Sequence, residues 1–342
     1  MKIDLERLEG LVRDFAGCRV GVAGDLIADI YQFGSPARLS REAPVLVVRC
    51  REERVLPGSA ANSAMNLAAL GGGVALVGLL GEDGPGRTIR EALSRAGIDG
   101  EGILSRDGWT TVAKTRVMVG EPGRTPQQVV RLDREPGNDP PGELDREVQA
   151  RIDRIDRRVA GWLVSDYEYG LVSLSVAEGF VARAAAGRRV VVDSRHHLGR
   201  FRGVEAICPN RGEAERLVGH PLEDREDLVA GGREILSRLD PAVLFLTLGN
   251  EGMAIFTRDG VELFLPVVGP DEVTDVSGAG DTVAATILLA RCVGADPLEA
   301  GILATCAASV VVQRLGAAAV GREELIRTLR SAAPQLEGME EP

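Results

Sequence analysis

The chain has 342 residues, of which 44% are hydrophobic, so it is long enough for one large α/β domain with a sizeable core. Lys and Arg total 40 whereas Asp and Glu total 51, which gives a net charge of −11 at pH 7. A surface this acidic repels phosphate backbones and anionic lipid, which argues against nucleic acid or a membrane as the main partner but allows a small anionic ligand.

The cysteines and the apolar pattern predict a cytoplasmic protein. The five cysteines are odd in number and none has C-x-x-C spacing, which favours reduced, mostly buried thiols over a zinc site. No apolar run approaches the ~18 residues that a membrane-spanning helix needs. Residues 1–8 alternate charge and Leu at helical spacing, which predicts a surface helix and not a signal peptide.

Short apolar runs rich in β-branched residues predict strands that are buried on both faces of a parallel sheet. In chain order they are residues 19–23, 74–80, 161–164, 189–193 and 243–247. Helical patterns lie between them, for example at residues 60–70, 172–186 and 225–239. This alternation predicts a doubly wound, mostly parallel sheet with helices on both faces.

Two segments interrupt the alternation, and their strand-like composition predicts antiparallel hairpins that form a small β lid over the strand ends. We therefore divide the chain into an α/β domain of residues 1–32, 57–109 and 134–334, a lid of residues 33–56 and 110–133, and a flexible tail of residues 335–342. Residues 135–142 are rich in Pro, Gly and Asp, which predicts a loop that returns to the main domain.

The strongest chemical signal is the run DVSGAGDT at residues 275–282. Gly278, Ala279 and Gly280 let the backbone approach a ligand, and the apolar stretch that follows predicts the start of a helix. Free N–H groups and the helix dipole make such a start an anion site. Asp281 lies there, either as a base that accepts a proton from a hydroxyl nucleophile or as a plain N-cap above a structural turn.

Six motifs, in order along nearly the whole chain, resemble those of the ribokinase-like (pfkB) carbohydrate kinases. Besides DVSGAGDT they are GDLIAD at 24–29, PGSAAN at 57–62, GEDGPG at 81–86, PNRGE at 209–213 and TLGNEG at 247–252. The resemblance implies an enzyme that uses ATP and Mg²⁺ to phosphorylate a sugar hydroxyl, with a ribokinase-like fold and a β lid.

The resemblance also implies roles for individual residues. Asp281 would be the general base, and the Gly278, Ala279 and Gly280 backbone would stabilise the transferred phosphoryl charge. The implied sugar contacts are Asp29, Gly58 and Asn62, and the implied nucleotide contacts are Asn210, Thr247, Gly249 and Gly252.

The resemblance further implies two cation sites. Asn210 and Glu213 would hold Mg²⁺ through water molecules, since hard oxygen ligands suit this ion. Asp275 either helps to bind a monovalent cation such as K⁺ or forms a structural salt bridge.

Among these kinases the chain is most similar to the heptose-7-phosphate kinases, in residues 38–45, 60–71, 130–133 and 165–167. Tyr169 and Arg195 stand where those kinases carry lysines, so the anionic group of the substrate is expected to be held differently. Heptose 7-phosphate is the expected acceptor; a fructose- or ribose-type sugar and a nucleoside are the alternatives.

Lys114, Arg116 and Arg131 are predicted on lid strands, where they either meet a substrate phosphate or form a solvated basic face. His196 and His197 follow a strand end, as substrate contacts or as a surface pair. Lids of this family also pair between subunits, and exposed edge strands need covering, so a homodimer is expected.

Two other classes of protein are alternatives to a kinase. A dinucleotide-dependent oxidoreductase is disfavoured because the first βα turn, at residues 24–29, lacks G-x-G-x-x-G. A catalytically silent binding protein of the same fold would be expected to have lost the base or the Mg²⁺ residues, and this chain keeps them.

Overall fold

The computed structural model describes residues 4–106, 108–121, 123, 126–137, 143–269 and 273–337. Within these ranges the strands are β1 (Arg19–Gly24), β2 (Leu26–Leu39), β3 (Leu46–Ser59), β4 (Gly73–Gly81), β5 (Asp99–Arg106), β6 (Val112–Val119), β7 (Gln127–Arg134), β8 (Gly161–Asp166), β9 (Arg189–Ser194), β10 (Ala206–Ile207), β11 (Val243–Thr247), β12 (Met253–Thr257) and β13 (Glu262–Leu265). The helices are α1 (Leu5–Asp14), α2 (Ala60–Ala69), α3 (Gly84–Arg95), α4 (Glu143–Asp156), α5 (Leu174–Ala185), α6 (Arg211–Val218), α7 (Arg225–Leu239), α8 (Ala279–Cys292), α9 (Pro297–Val311) and α10 (Arg322–Glu337).

The main sheet has the strand order β13-β12-β11-β10-β9-β8-β1-β4-β5 among the described residues. Neighbouring strands from β11 to β5 pair in parallel, and β12 and β13 add an antiparallel edge. The predicted mostly parallel sheet is confirmed, and the five apolar runs correspond to β1, β4, β8, β9 and β11.

Helices cover both faces of this sheet. One apolar core is formed with side chains of α1, α2, α3, α8, α9 and α10, and the other with side chains of α4, α5, α6 and α7. Because all central strands run the same way, their carboxyl ends meet at one edge, where ligands bind in open α/β sheets.

The second sheet has the order β3-β2-β6-β7. Its two hairpins are antiparallel, as expected, but they join through a parallel pairing of β2 with β6. Its strands also reach further than residues 33–56, since β2 begins at Leu26, directly after β1, and β3 continues to Ser59. The lid therefore begins directly at the carboxyl edge of the main sheet.

The two ends of the chain carry amphipathic helices. Leu8, Leu11 and Val12 of α1 are buried, so one face of the predicted surface helix packs on the core. The tail expected from Gln335 begins later, because α10 continues to Glu337; residues 338–342 lie outside the described ranges, as do residues 138–142 of the predicted loop. Among the helices that the structure describes, none combines the length and the apolar character needed to span a bilayer.

Candidate active site

A cavity of about 460 Å³ lies between the lid and the carboxyl edge of the main sheet. It is lined by Ile27, Asp29, Ser59, Lys114, Arg116, Tyr167, Asp193, Arg195, His196, Cys208, Asn210, Glu213, Arg216, Thr247, Val276, Ser277, Gly278, Gly280 and Asp281. Many of the residues singled out in the sequence, from five separate motifs, therefore meet in one place.

Asp281 lies at the bottom of this cavity, in the first turn of α8, and is only 2% exposed. Its carboxylate accepts three hydrogen bonds: from Asn62 Nδ2 to Oδ2 at 2.9 Å, and from Tyr167 OH at 3.0 Å and Ser63 Oγ at 3.4 Å to Oδ1. The N-cap of α8 is Gly278, in the left-handed conformation, and no side chain caps the helix. Asp281 is thus not a capping residue, and its side chain is directed at the cavity.

Burial raises the pKa of Asp281 to about 7, against the lowering effect of the hydrogen bonds from Asn62 and Tyr167. Asp29 raises this pKa further, and the Arg195 charge lowers it. A carboxyl group with a pKa near neutral pH is suited to proton transfer, since it is both partly ionised and appreciably basic.

The start of α8 supplies free N–H groups. In the described part of the chain no acceptor is found for the N–H groups of Gly280 and Asp281, whereas Thr282 N donates to Gly278 O. The predicted contribution of Ala279 needs correction, because its N–H donates to Val276 O at 3.2 Å and Ala279 does not line the cavity. Within the described ranges the N–H groups of Gly278, Gly280 and Asp281 have no acceptor, and a helix start with such free donors is suited to an anion.

On the sugar side, Asp29 of β2 pairs with Arg116 of β6 at 2.6 Å, and both side chains are largely buried. Gly58 does not line the cavity; its position is explained by packing, because a Cβ there would overlap Asp29 Oδ2. Asn62 acts through Asp281, as described above. Of the three predicted sugar contacts, Asp29 alone lines the cavity directly.

The register of the lid strands places the charged residues of the lid on one face of the small sheet. Asp29 lies opposite Lys114, and Arg116 lies opposite Arg131. Arg116 is paired with Asp29, and Arg131 with Asp133 at 2.9 Å on the exposed β7. Each of these two arginines already has a carboxylate partner, and a phosphate contact by either remains a prediction; Arg116 lines the cavity, whereas Arg131 does not.

Lys114 differs from them. It is 8% exposed, and within the described residues its Nζ makes no hydrogen bond or ion pair with the protein. Burial lowers the pKa of Lys114, and the nearby Arg195 charge lowers it further. An uncompensated cation in such a place is costly unless a ligand supplies the negative charge.

Arg195, directly after β9, also has no carboxylate partner in the described ranges, and neither does Arg216, whose guanidinium donates to Arg195 O at 3.0 Å. The Arg195 guanidinium stacks on Tyr167, with Cζ 4.3 Å from the ring centroid. Lys114 Nζ lies 5.7 Å from the centroid of the same ring. Lys114 and Arg195 therefore both contact the ring of Tyr167, and both line the cavity.

The nucleotide side is built around the start of α6. Asn210 and Glu213 form a capping box, in which Asn210 Oδ1 accepts from Glu213 N at 2.9 Å and Glu213 Oε2 accepts from Asn210 N at 2.8 Å. Thr247 pairs with Asn210 through an isolated bridge and lines the cavity. The Asn210 and Glu213 side chains are thereby fixed at the cavity wall.

Gly249 and Gly252 shape the turn that follows Thr247 and do not line the cavity. Both have positive φ, 62° and 96°. A Cβ on Gly252 would overlap Leu265 O, so this glycine is required by the turn itself. Any nucleotide contact by these two residues remains a prediction.

The residues present suit a Mg²⁺ ion that arrives with a nucleotide. Within the described ranges no group of three His, Cys, Asp or Glu side chains could hold a metal. Glu213 still has Oε1 free of described protein hydrogen bonds, and burial raises its pKa. A hydrated ion with few protein ligands is the usual state of Mg²⁺ at phosphate sites.

Asp275 ties two turns together, since its Oδ1 accepts from Ser277 N and its Oδ2 accepts from Gly316 N, both at 2.9 Å. The described structure thus gives Asp275 a hydrogen-bonding role, where a salt bridge was the expected structural alternative. A K⁺ site at Asp275 remains a prediction.

Of the two histidines and Tyr169, His196 alone lines the cavity. His197 Nδ1 lies 3.0 Å from the buried Asp166. Tyr169 directs its hydroxyl to Glu135 at 3.1 Å, away from the cavity.

Asp25 supports the site, although the sequence analysis predicts no role for it. Its buried carboxylate accepts hydrogen bonds from the backbone N–H groups of Tyr167, Tyr169 and Leu171. Burial raises the pKa of Asp25 to about 6. Asp25 holds the loop after β8 in place, and the only sequence signal was its position directly after the first strand.

Comparison with known proteins agrees with this geometry. The model of the pfkB family carbohydrate kinases matches residues 24–156 and 171–324. The bifunctional protein HldE of Magnetococcus marinus is 39% identical over 310 residues, which cover 89% of this chain and 62% of that protein. HldE of Methylococcus capsulatus is 39% identical over 319 residues, 92% of this chain and 64% of that protein. The chain thus spans less than two thirds of the length of these relatives.

Solved structures show the same fold at lower sequence identity. Ribokinase of Arabidopsis thaliana, in complex with ribose and ATP, superposes with a TM-score of 0.70 at 22% identity, over 92% of this chain and 99% of that one. Phosphofructokinase-2 of Escherichia coli gives a TM-score of 0.74 at 17% identity, over 94% and 99%. The expected ribokinase-like architecture is thereby confirmed.

Proposed function

The chain belongs to the pfkB family of carbohydrate kinases, and on this premise we propose that it transfers the γ-phosphoryl group of ATP to a hydroxyl of heptose 7-phosphate. One observation carries the proposal: the cavity holds the buried Asp281 at an uncapped helix start and, on its lid side, the unpaired Lys114. The first feature suits phosphoryl transfer to a hydroxyl, and the second suits an acceptor that already bears a phosphate.

The transfer step follows from the contacts of Asp281. Oδ1 is engaged by Tyr167 and Ser63, whereas Oδ2 accepts only from Asn62 and keeps a lone pair for the acceptor hydroxyl. Oδ2 takes the hydroxyl proton while the hydroxyl oxygen forms a bond to the γ-phosphorus. The bond from that phosphorus to the β–γ bridging oxygen breaks, and ADP leaves with the electron pair.

The charge of the transferred phosphoryl group is met by the start of α8. The N–H groups of Gly280 and Asp281 have no described protein acceptor, so they are available without reorganisation. Fixed donors of this kind stabilise charge that develops in the transition state. Mg²⁺, when bound, would neutralise phosphate charge, with Asn210 and Glu213 contacting its waters.

The phosphate of the acceptor would bind to Lys114 and Arg195. Both line the cavity, and neither has a carboxylate partner in the described ranges, unlike Arg116 and Arg131. Arg195 adds a planar donor fork that matches phosphate oxygens. The HldE relatives, at 39% identity, favour the heptose assignment among phosphorylated sugars.

We also propose that two chains pair through their lids in a cytoplasmic homodimer. All eight residues of β7 are exposed, among them Val129, Val130 and Leu132. An exposed edge strand with apolar side chains is normally covered by a partner. Light scattering after size exclusion should give twice the chain mass; a monomer at micromolar concentration would refute the pairing.

The test of function is a coupled ADP-release assay on a panel of acceptors. The panel should contain heptose 7-phosphate, the unphosphorylated heptose, fructose- and ribose-type sugars with and without phosphate, and a nucleoside. We expect the highest kcat/KM with heptose 7-phosphate. A higher value with another acceptor would refute the heptose assignment, and ATP binding without turnover of any acceptor would indicate a silent binding protein.

A further inference from the structure

The loop that follows β8 presents Tyr167 to the cavity in a fixed conformation. Its backbone N–H donates to Asp25 Oδ2 at 2.8 Å. The N–H groups of Tyr169 and Leu171 donate to the same carboxylate at 3.1 and 3.2 Å. Three bonds to one buried acceptor hold this backbone before any ligand binds.

The side chain of Tyr167 connects three parts of the site. Its hydroxyl donates to Asp281 Oδ1 at 3.0 Å. Two cations contact its ring: Lys114 Nζ of the lid and Arg195 Cζ of the main domain lie 5.7 and 4.3 Å from the ring centroid. The ring that carries the hydroxyl is therefore held by contacts with both domains.

At 3.0 Å, the bond from Tyr167 is the shorter of the two described hydrogen bonds to Oδ1. A donor to a carboxylate favours its ionised form, so this bond lowers the pKa of Asp281. Burial and the Asp281 charge raise the pKa of Tyr167 well above its usual range, so the phenol stays protonated and can donate to the carboxylate. Ser63, on the same oxygen, lies further away at 3.4 Å.

We propose that Tyr167 is a positioning residue for the phosphoryl transfer: its hydroxyl occupies Asp281 Oδ1, favours the ionised carboxylate and leaves Oδ2 facing the acceptor hydroxyl. The inference rests on the proposed kinase function and adds to it a residue that determines when the base is active. Its consequence is that loss of the hydroxyl changes the pH range of turnover rather than abolishing turnover.

Other charged groups act on Asp281 from the surrounding elements. Asp29 faces it from β2, and Asp193 and Arg195 from the end of β9. The element α2 contributes only the neutral donors Asn62 and Ser63. None of these groups is altered by removal of the phenol oxygen, so a change in the pH profile reports on the Tyr167 hydroxyl.

The test compares pH profiles of kcat/KM for wild type, Tyr167→Phe and Tyr169→Phe. Tyr169 is the matched control, since its hydroxyl contacts Glu135 and not the base. With Tyr167→Phe we expect the acid limb to move up by about one pH unit, because a donor to the carboxylate is lost. That shift corresponds to about five-fold lower activity at pH 7 and near recovery at pH 9. A uniform loss at every pH, or an unchanged profile, would overturn the proposal.

A second measurement covers a Tyr167→Phe protein that folds poorly or an acceptor that is wrongly identified. Site-specific 3-fluorotyrosine at position 167 keeps the shape and strengthens the donor, and should lower the Asp281 titration midpoint. That midpoint is read from the ¹³C carboxyl resonance of Asp281, assigned by its loss in Asp281→Asn, without any substrate. An unmoved resonance refutes the role of Tyr167, whereas a moved resonance with no kinase activity refutes only the function.

Discussion

Replacement of Asp281 by Asn should abolish most of the activity and, at the same time, make folding stability less sensitive to pH. The group is 2% exposed, and burial raises its pKa from 3.8 to about 7. One pKa unit corresponds to about 1.4 kcal/mol, so the ionised carboxylate destabilises the fold by roughly 4 kcal/mol above pH 7.

The sign follows from the direction of the shift. An acid whose pKa is raised in the folded state contributes its full stability below the unfolded pKa, near pH 4. That contribution is lost as the pH rises through the folded pKa, near 7. Between pH 5 and pH 8, wild type should lose about 3 kcal/mol relative to Asp281→Asn. A pH-independent cost of the new amide beside Asn62 cancels in this difference.

Urea unfolding of both proteins, followed by circular dichroism at pH 5 and pH 8, measures the effect. Steady-state kinetics of the same preparations should show kcat lower by about 10²–10⁴ in Asp281→Asn, the usual share of a positioned base. A stability difference that is equal at the two pH values would refute the shifted carboxyl. Near-normal turnover of the variant would refute its role as base.

Three further predictions concern the acceptor side. Lys114→Ala should raise KM for a phosphorylated acceptor by about ten-fold or more but leave KM for the unphosphorylated sugar nearly unchanged. The control is Arg131→Ala: because Arg131 is paired with Asp133, this change should affect the two KM values equally and little. Gly58→Ala should raise KM for all sugars and lower stability by about 1–3 kcal/mol, since its Cβ would displace Asp29, and an unchanged unfolding midpoint would contradict this. The product should show two separate phosphomonoester signals by ³¹P NMR, because its phosphates lie at opposite ends of the sugar; vicinal or cyclic phosphates would contradict the assignment.

Much of the main domain could be predicted from sequence because its central strands are buried on both faces. Such strands read as continuous apolar runs, and β1, β8 and β9 are close to the predicted bounds. The two-residue β10 is too short to give a pattern. The edge strand β13 is partly exposed, so its composition resembles that of a loop.

The lid was less predictable, for reasons of register. The sequence analysis places a βα turn at residues 24–29, yet β2 starts at Leu26 because a partner strand, β3, continues to Ser59 and pairs with it. The register places Arg116 opposite Arg131 and brings Asp29 within reach of Arg116. Pairing of this kind depends on which residues face each other across strands, and a single sequence does not contain that information.

The site shows the same division. The sequence shows Asp281 as an acid after a glycine turn, a pattern that suits a helix cap and a catalytic base equally well. The structure distinguishes the two, because the Asp281 oxygens face Asn62 and Tyr167. The sequence also predicts a free N–H at Ala279, but a local turn uses this group, which donates to Val276 O. Asp25 acts through a distant partner, the loop after β8, so its place in the motif at residues 24–29 does not reveal its role.

The charges around the cavity fix the direction in which an acceptor binds. On the lid side, Asp29 is neutralised by Arg116, so Lys114 remains as an excess positive charge, with Arg195 beside it. The carboxylate of Asp281 lies in the first turn of α8, and within the described ranges its Oδ2 accepts from Asn62. Under the proposed function, a sugar phosphate meets both groups when its phosphate contacts Lys114 and Arg195 while one of its hydroxyls faces Oδ2. We therefore expect the reacting hydroxyl to be one that stays free to face Oδ2 while the phosphate is held by these two cations.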